Sequence, residues 1–258
     1  MAEATFQVYR GDAQGGELVA YQVPVIEGMV VLDGIHHIQA HLDGTLACRW
    51  NCKAAKCGSC SAEVNGRPRL MCKTRVDELG DRPIVVRPIK VFPLLKDLVT
   101  DVSWNYRVNE RIPPFTAKPD DAGPWKMYPE DVDRLFEFRK CIECFLCQDV
   151  CHVLRDHGGL DRYMGPRFMV RIAALEMHPK DTLSRTDLLK GPGGIGFCNI
   201  TKCCEEVCPE HIHITDNGII PLKERVVDEF YDPVLWLWRK IFGRREERQS
   251  MQALPVVK

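Results

Sequence analysis

Cys141-Ile142-Glu143-Cys144-Phe145-Leu146-Cys147-Gln148-Asp149-Val150-Cys151-His152 carries four cysteines in the spacing Cys-x2-Cys-x2-Cys-x3-Cys. Soft thiolate sulfur at that spacing suits an iron–sulfur cluster. The proline that usually follows the fourth cysteine is replaced by His152. The same frame returns at Cys198-Asn199-Ile200-Thr201-Lys202-Cys203-Cys204-Glu205-Glu206-Val207-Cys208-Pro209, with Thr201 where the second cysteine should stand.

In bacterial ferredoxins built from two such runs, the last cysteine of each run ligates the cluster of the other. That rule gathers Cys141, Cys144, Cys147 and Cys208 around one cluster, a full set for [4Fe–4S]. It leaves Cys151, Cys198 and Cys204 for the other. Three thiolates and a poor ligand at Thr201 predict a cluster lacking one iron, [3Fe–4S]. Two zinc sites or two ordinary four-iron clusters are the alternatives, and Cys203, adjacent to Cys204, is a further candidate for the open iron position.

Earlier in the chain, Cys52-x4-Cys57-x2-Cys60 with Cys72 further on is the plant-type spacing for a [2Fe–2S] cluster. Gly58 permits close backbone approach, and the Asn65-Gly66 pair between Ser61–Val64 and Arg67–Met71 signals a hairpin that returns Cys72 as fourth ligand. A zinc site using Cys57 and Cys60 is the alternative. Cys48 lies outside the frame and reads as a small buried hydrophobe.

The chain has 258 residues, 13 cysteines, 35 Lys and Arg and 36 Asp and Glu. A cysteine count that is high and odd, without a secretory signal in Met1-Ala2-Glu3-Ala4-Thr5-Phe6, points to metal in a reducing compartment rather than to disulfides. A formal net charge of −1 gives no electrostatic reason to expect nucleic acid. No apolar run reaches the ~18 residues a membrane span requires.

Two modules are expected. Alternation at Phe6 and Val8 and at Val19, Tyr21 and Val23, with Gly15-Gly16 between, predicts strands. Val31, Ile35, Ile38 and Leu42 follow helical spacing interrupted by Gly34, and Ile84–Val86 reads as another strand. Residues 104–130 carry five prolines with little periodicity and read as a wrapping segment. Beyond them, Val132, Leu135 and Phe136 are expected to share a helix face, as are Met169, Ile172, Ala173 and Met177. Pro221 can start a helix carrying Val226, Val227 and Phe230. The fold class is α+β: a [2Fe–2S] module over 1–105, a linker over 106–130, and a mainly helical two-cluster module over 131–258.

Some motif matches fail on context. Gly191-x-Gly193-x-x-Gly196 has dinucleotide-fingerprint spacing, yet follows no predicted strand, opens no helix and runs into Cys198. Asn199-Ile200-Thr201 lies inside a cluster loop and is a chance glycosylation match. His211 and His213 read as surface or supporting groups. No Ser/His/Asp arrangement, P-loop or metalloprotease helix is found, so the chain reads as a conductor of electrons.

The order of the three motifs resembles the iron–sulfur subunits of succinate dehydrogenase and quinol:fumarate reductase over nearly the whole chain. Ile89, the segment Pro93–Val99 with Asp101, and Gly165-Pro166 are also similar to that family. The resemblance implies a β-grasp ferredoxin domain followed by a helical two-cluster domain, and a flavoprotein partner whose covalent FAD oxidises succinate. It further implies a membrane anchor where quinone is reduced near the three-iron cluster, with this chain held peripherally on the cytoplasmic face of a bacterial inner membrane. His152 and Asn199 depart from residues common in the family near the quinone, so no quinone-binding residue is carried over. The alternatives are fumarate reduction in the same family, a heterodisulfide-reductase-like subunit, which would match only the second half, and a zinc-binding interaction protein. At the C-terminus, Pro233–Phe242 is apolar and aromatic and is followed by Arg244, Arg245 and Arg248, the composition of an interfacial membrane segment or of a helix packed on a partner.

Overall fold

The computed structural model of the chain describes residues 3–117, 126–242 and 249–250. Strands β1 (Glu3–Asp12) and β2 (Gly15–Pro24) pair antiparallel from Glu3 opposite Pro24 to Asp12 opposite Gly15. The turn sits at residues 13–14 rather than at the glycine pair. Gly16 faces Gly11 so closely that a Cβ on Gly11 would lie 2.5 Å from the Gly16 Cα.

Helix α1 (Val31–His37) widens into a looser turn through Leu42, burying Val31, Leu32, Ile35 and Ile38 and leaving Leu42 exposed. The poor helix former Gly34 is required by packing, since a Cβ there would stand 2.3 Å from the Phe6 ring. Strands β3 (Ser61–Val64) and β4 (Arg67–Leu70) form the expected hairpin, with Asn65 and Gly66 both at positive φ. Strand β5 (Ile84–Arg87) runs parallel to β1 and antiparallel to β3, and β6 (Leu94–Lys96) and β7 (Val99–Thr100) extend the sheet beyond β1. The order β4-β3-β5-β1-β6-β7, with β2 also on β1, gives the α+β first module.

The remainder is mainly helical, with α2 (Ser103–Glu110), α3 (Pro129–Arg139), α4 (Leu146–Asp149), α5 (His152–Arg155), α6 (Pro166–Glu176), α7 (Thr186–Lys190), α8 (Cys203–Glu206), α9 (Ile220–Phe230) and α10 (Pro233–Phe242), and a short parallel pairing of Leu183–Ser184 with Gln249–Ser250. Helix α2 falls where an aperiodic segment was expected. Asp101 Oδ1 accepts the Ser103 N–H at 2.9 Å to start it, and only Asn105 and Val108 are buried, too few to show an apolar period. The following residues do wrap. The buried Arg185 guanidinium donates to the carbonyls of Pro113 and Pro114 and pairs with Asp181, while Thr182 N–H donates to Thr116 O. Residues 118–125, with Pro119 and Pro124, lie outside the described residues.

Two helix faces differ from expectation. On α3 the buried pair is Leu135 and Phe138, while Val132 and Phe136 are exposed, the Phe136 ring lying under the Lys140 ammonium. On α9 Leu222 and Val226 are buried and Val227 is exposed. Phe136 and Val227 each stand one residue past a buried position, about 100° further round the helix, which carries them off the buried stripe to the solvent side.

The modules are tied together at their cores. Ile89, Val91, Phe92, Val108 and Ile112 pack with the helical core, and Leu146 and Val207 pack with the sheet. Asp149 Oδ1 accepts the N–H groups of Lys90 and Val91, and buried Glu63 pairs with Lys90 and Arg155. Among the described residues, no helix is long and apolar enough to cross a membrane.

Candidate metal centres

The first cysteine loop is pinned at its start by Asp97, whose carboxylate accepts Gly11 N–H at 3.0 Å and Ala47 N–H at 2.8 Å and pairs with Arg10. Within the loop Lys53 and Ala55 adopt left-handed backbone (φ 54° and 55°) although neither is glycine. That turns the N–H groups of Ala54 and Lys56 onto Cys52 Sγ, both at 3.3 Å. Met71 N–H donates to Cys60 O at 3.1 Å, bringing Cys72 alongside Cys60. Burial raises the Cys57 thiol, but hydrogen bonds from Ser59 and Cys52 outweigh it and bring the pKa to about 7, whereas burial pushes Cys60 to about 12.

The second loop repeats the device, with Glu143 and Phe145 at φ 56° and 61°. Cys141, Cys144, Cys147 and Cys208 line one small cavity, walled by Arg167, Val170 and Ile212 among others. Cys208 therefore joins the second loop, not the run in which it stands. Ile212 N–H donates to Cys208 Sγ at 3.4 Å, and Arg167 forms an ion pair with Glu143 at the rim. Burial pushes Cys144 to about 12 and Cys147 well above its ordinary value.

The third loop has Ile200 and Lys202 at φ 63° and 60° and continues into α8. Cys198, Cys203 and Cys204 gather around Cys151, which precedes α5. Thr215 Oγ1 lies 3.5 Å from Cys204 Sγ, and Lys223 of α9 donates to Cys198 O at 2.5 Å. Thr201 is exposed, its hydroxyl 3.3 Å from Cys203 Sγ. Burial pushes Cys151 to about 11 and Cys204 to about 12. Tyr163 is fully enclosed beside Cys198, Cys151 and Cys204, and its hydroxyl makes no well-formed hydrogen bond. Burying a hydroxyl in that state costs about 1–3 kcal/mol. Cys48 packs against the sheet core, apart from these groups.

The three groups touch in sequence. A Cβ on Gly58 (φ 70°) would lie 2.5 Å from the Cys144 Cα, and Ser61 Oγ donates within reach of both Gly58 O (2.9 Å) and Cys144 O (2.8 Å). Cys147 of the second group stands within the one-turn helix α4, and Cys151 of the third follows two residues after its end.

The donors suit clusters better than single ions. Paired left-handed and right-handed residues form concave nests of N–H groups, a site for anionic sulfur. Thiols held high by burial become thiolates only against a compensating metal charge, and the Tyr163 hydroxyl awaits an acceptor. The nest residues and Tyr163 were not found from the sequence. Left-handed backbone at Lys, Ala, Glu, Phe and Ile has no compositional signature, and Tyr163, between Arg162 and Met164, stands in no cysteine frame.

Comparison with known proteins matches residues 5–106 to a 2Fe–2S iron–sulfur cluster binding domain and residues 137–212 to a 4Fe–4S dicluster domain. The chain is 32% identical over 200 residues to the fumarate reductase iron–sulfur subunit of Mycobacterium tuberculosis, covering 75% of this chain and 79% of that protein. It is 29% identical over 232 residues to the succinate dehydrogenase iron–sulfur subunit of Paracoccus denitrificans, covering 86% and 88%. Its fold superposes on a chain of the Mycobacterium smegmatis Sdh1 complex in the apo form with a TM-score of 0.88 and 57% identity, covering 90% of this chain and 98% of that one.

Proposed function

This chain belongs to the family of iron–sulfur subunits of succinate dehydrogenase and fumarate reductase, and we propose that it serves the succinate-oxidising direction, carrying electrons from a flavoprotein's FAD towards quinone at a membrane anchor. When bound, a [2Fe–2S], a [4Fe–4S] and a [3Fe–4S] cluster supply one-electron carriers. Cys52, Cys57, Cys60 and Cys72 would hold the first; Cys141, Cys144, Cys147 and Cys208 the second; Cys151, Cys198 and Cys204 the third. The carrying observation is the contiguity of the donor groups, with the first meeting the second at Gly58 and Cys144 and the second meeting the third at the end of α4. The chain's own residues bury the thiols, aim N–H groups at sulfur and exclude water between neighbouring groups. The 57% identity to a component of an Sdh1 complex favours succinate oxidation over the reverse.

Iron and acid-labile sulfide analysis with electron paramagnetic resonance (EPR) tests the inventory. The oxidised chain should show a three-iron signal, and reduction should add a two-iron signal. Bound zinc without sulfide would refute it. The isolated chain should neither bind flavin nor oxidise succinate, and activity should appear only with the flavoprotein. Comparing succinate oxidation with fumarate reduction by the assembled complex decides the direction.

The same proposal places the chain peripherally on the cytoplasmic membrane face. Val234, Leu237, Trp238 and Ile241 recur at helical spacing on α10 and are 74%, 50%, 58% and 63% exposed, a stripe suited to the headgroup region or to the anchor. The cationic residues Arg244, Arg245 and Arg248 that follow lie outside the described residues. Truncation after Tyr231 should keep all clusters while lowering membrane retention or quinone reduction, and unchanged retention and quinone reduction would reduce the stripe to ordinary packing.

A further inference from the structure

Among the described residues, Tyr163 carries the one buried hydroxyl without a well-formed hydrogen bond, with the Cys198 sulfur the acceptor within its reach. Its backbone is held on both sides. Tyr163 N–H donates to Gly159 O at 2.9 Å, and Met164 N–H donates to Gly193 O at 3.2 Å. Gly194 (φ 62°) presses on the same strand of chain, where a Cβ would stand 1.8 Å from Arg162 O. The glycines at 193 and 194 thus serve close packing of two backbones rather than a phosphate, and they lead directly to Cys198. The ring is consequently fixed, 1% exposed, with its hydroxyl facing Cys198, Cys151 and Cys204.

We propose that Tyr163 is a positioning residue for the third centre, its phenolic O–H donating to a sulfur of the cluster held by Cys151, Cys198 and Cys204 and so raising that cluster's reduction potential. Reduction adds one electron and makes the cluster sulfurs better acceptors, so a fixed donor stabilises the reduced state more than the oxidised one. No bond to the phenolic proton breaks. The inference rests on the cluster assignment proposed above and adds a determinant of how readily the last centre accepts an electron.

The test is an EPR-monitored redox titration of the cluster-loaded full chain. Tyr163→Phe keeps the ring and removes the donor. The reduction equilibrium of the third centre should shift about tenfold against reduction, ~59 mV for one electron, with iron and sulfide content and the other two potentials unchanged. Uniform incorporation of 3-fluorotyrosine, which sharpens the O–H donor and deletes nothing, should move the same potential upward. A ring needed only for packing predicts neither shift. An unmoved potential in a fully loaded Tyr163→Phe chain overturns the proposal, and so does an unmoved potential with fluorotyrosine if the phenylalanine variant fails to load. Failure of the underlying cluster assignment appears differently, as missing iron and sulfide in the unsubstituted chain. Whichever nuclearity the third centre shows, its potential is read in the same titration.

Discussion

The loops that begin at Cys141 and Cys198 are two copies of one piece of backbone. Glu143 and Phe145 take left-handed conformations at φ 56° and 61°, and Ile200 and Lys202 take them at the matching positions at 63° and 60°. Each loop runs into a single helical turn, Leu146–Asp149 in one and Cys203–Glu206 in the other. Their difference lies at the second ligand position, Cys144 against Thr201, and in what surrounds it. Cys144 is wedged against Gly58, whereas Thr201 faces solvent. Backbone conformation thus builds a cradle for anionic sulfur twice over, and one side chain decides how many metal donors each cradle offers.

The largest effect should come from Cys208→Ala. Cys208 stands in the third run, yet it lines the cavity of the second group with Cys141, Cys144 and Cys147. The four-iron cluster should be lost, read as missing iron and sulfide and a missing signal on reduction, while the three-iron signal of the oxidised chain persists. Loss of the three-iron signal alone would break the crossed pairing and make the two loops independent.

Exchanging the differing residues should convert one loop towards the other. Thr201→Cys should let the third centre take up one more iron and extinguish the three-iron signal of the oxidised chain. Cys144→Thr should remove one iron from the second centre. If iron content stays the same in both variants, the backbone rather than the donor count sets nuclearity. These substitutions should perturb less than Cys208→Ala, because Thr201→Cys adds a donor and Cys144→Thr leaves a hydroxyl where alanine at 208 leaves no donor atom.

The cysteine frames, the Asn65-Gly66 hairpin and the alternation of β1 were legible because each is a local pattern of residue types. Even the crossed grouping followed from spacing, and the cavity brings those same side chains together. What was not legible depends on neighbours distant in sequence. Gly34 weakens a helix until the Phe6 ring is placed above it, and Val132 looks like core until Leu135 and Phe138 take the buried stripe. The left-handed residues at 53, 55, 143, 145, 200 and 202 are the clearest case. Their strain is held by the surrounding fold, and nothing in a lysine or a phenylalanine announces it.

A smaller effect should follow Gly58→Ala. The added methyl would meet the Cys144 Cα at 2.5 Å, and the residue would keep a left-handed φ of 70°. A destabilisation of about 1–3 kcal/mol is expected, measured by denaturant unfolding of the loaded chain. The comparison of loops makes this specific. Gly58 presses on the second loop, so the spectra of the first two clusters should broaden while the three-iron signal keeps its shape. Equal disturbance of all three would show that the strain spreads through the whole helical module.

The smallest effect should come from Cys203→Ser, which asks whether the third loop has a hidden fourth donor. Position 203 corresponds to Leu146, the first residue of the matching helical turn. Leu146 is fully buried, packs with the sheet core and is not among the residues lining the second cavity. Cys203 starts the matching turn at a position that lines no cavity in the second loop, and although its thiol stands near Cys151 and Cys204, its close polar contact is the Thr201 hydroxyl at 3.3 Å. Serine preserves that polar contact and removes a sulfur. The three-iron signal, its potential and the iron content should therefore be unchanged. A three-iron signal that appears only in the serine variant would show that Cys203 had completed a four-iron cluster, and that the two loops, unlike at Thr201, end with equal donor counts.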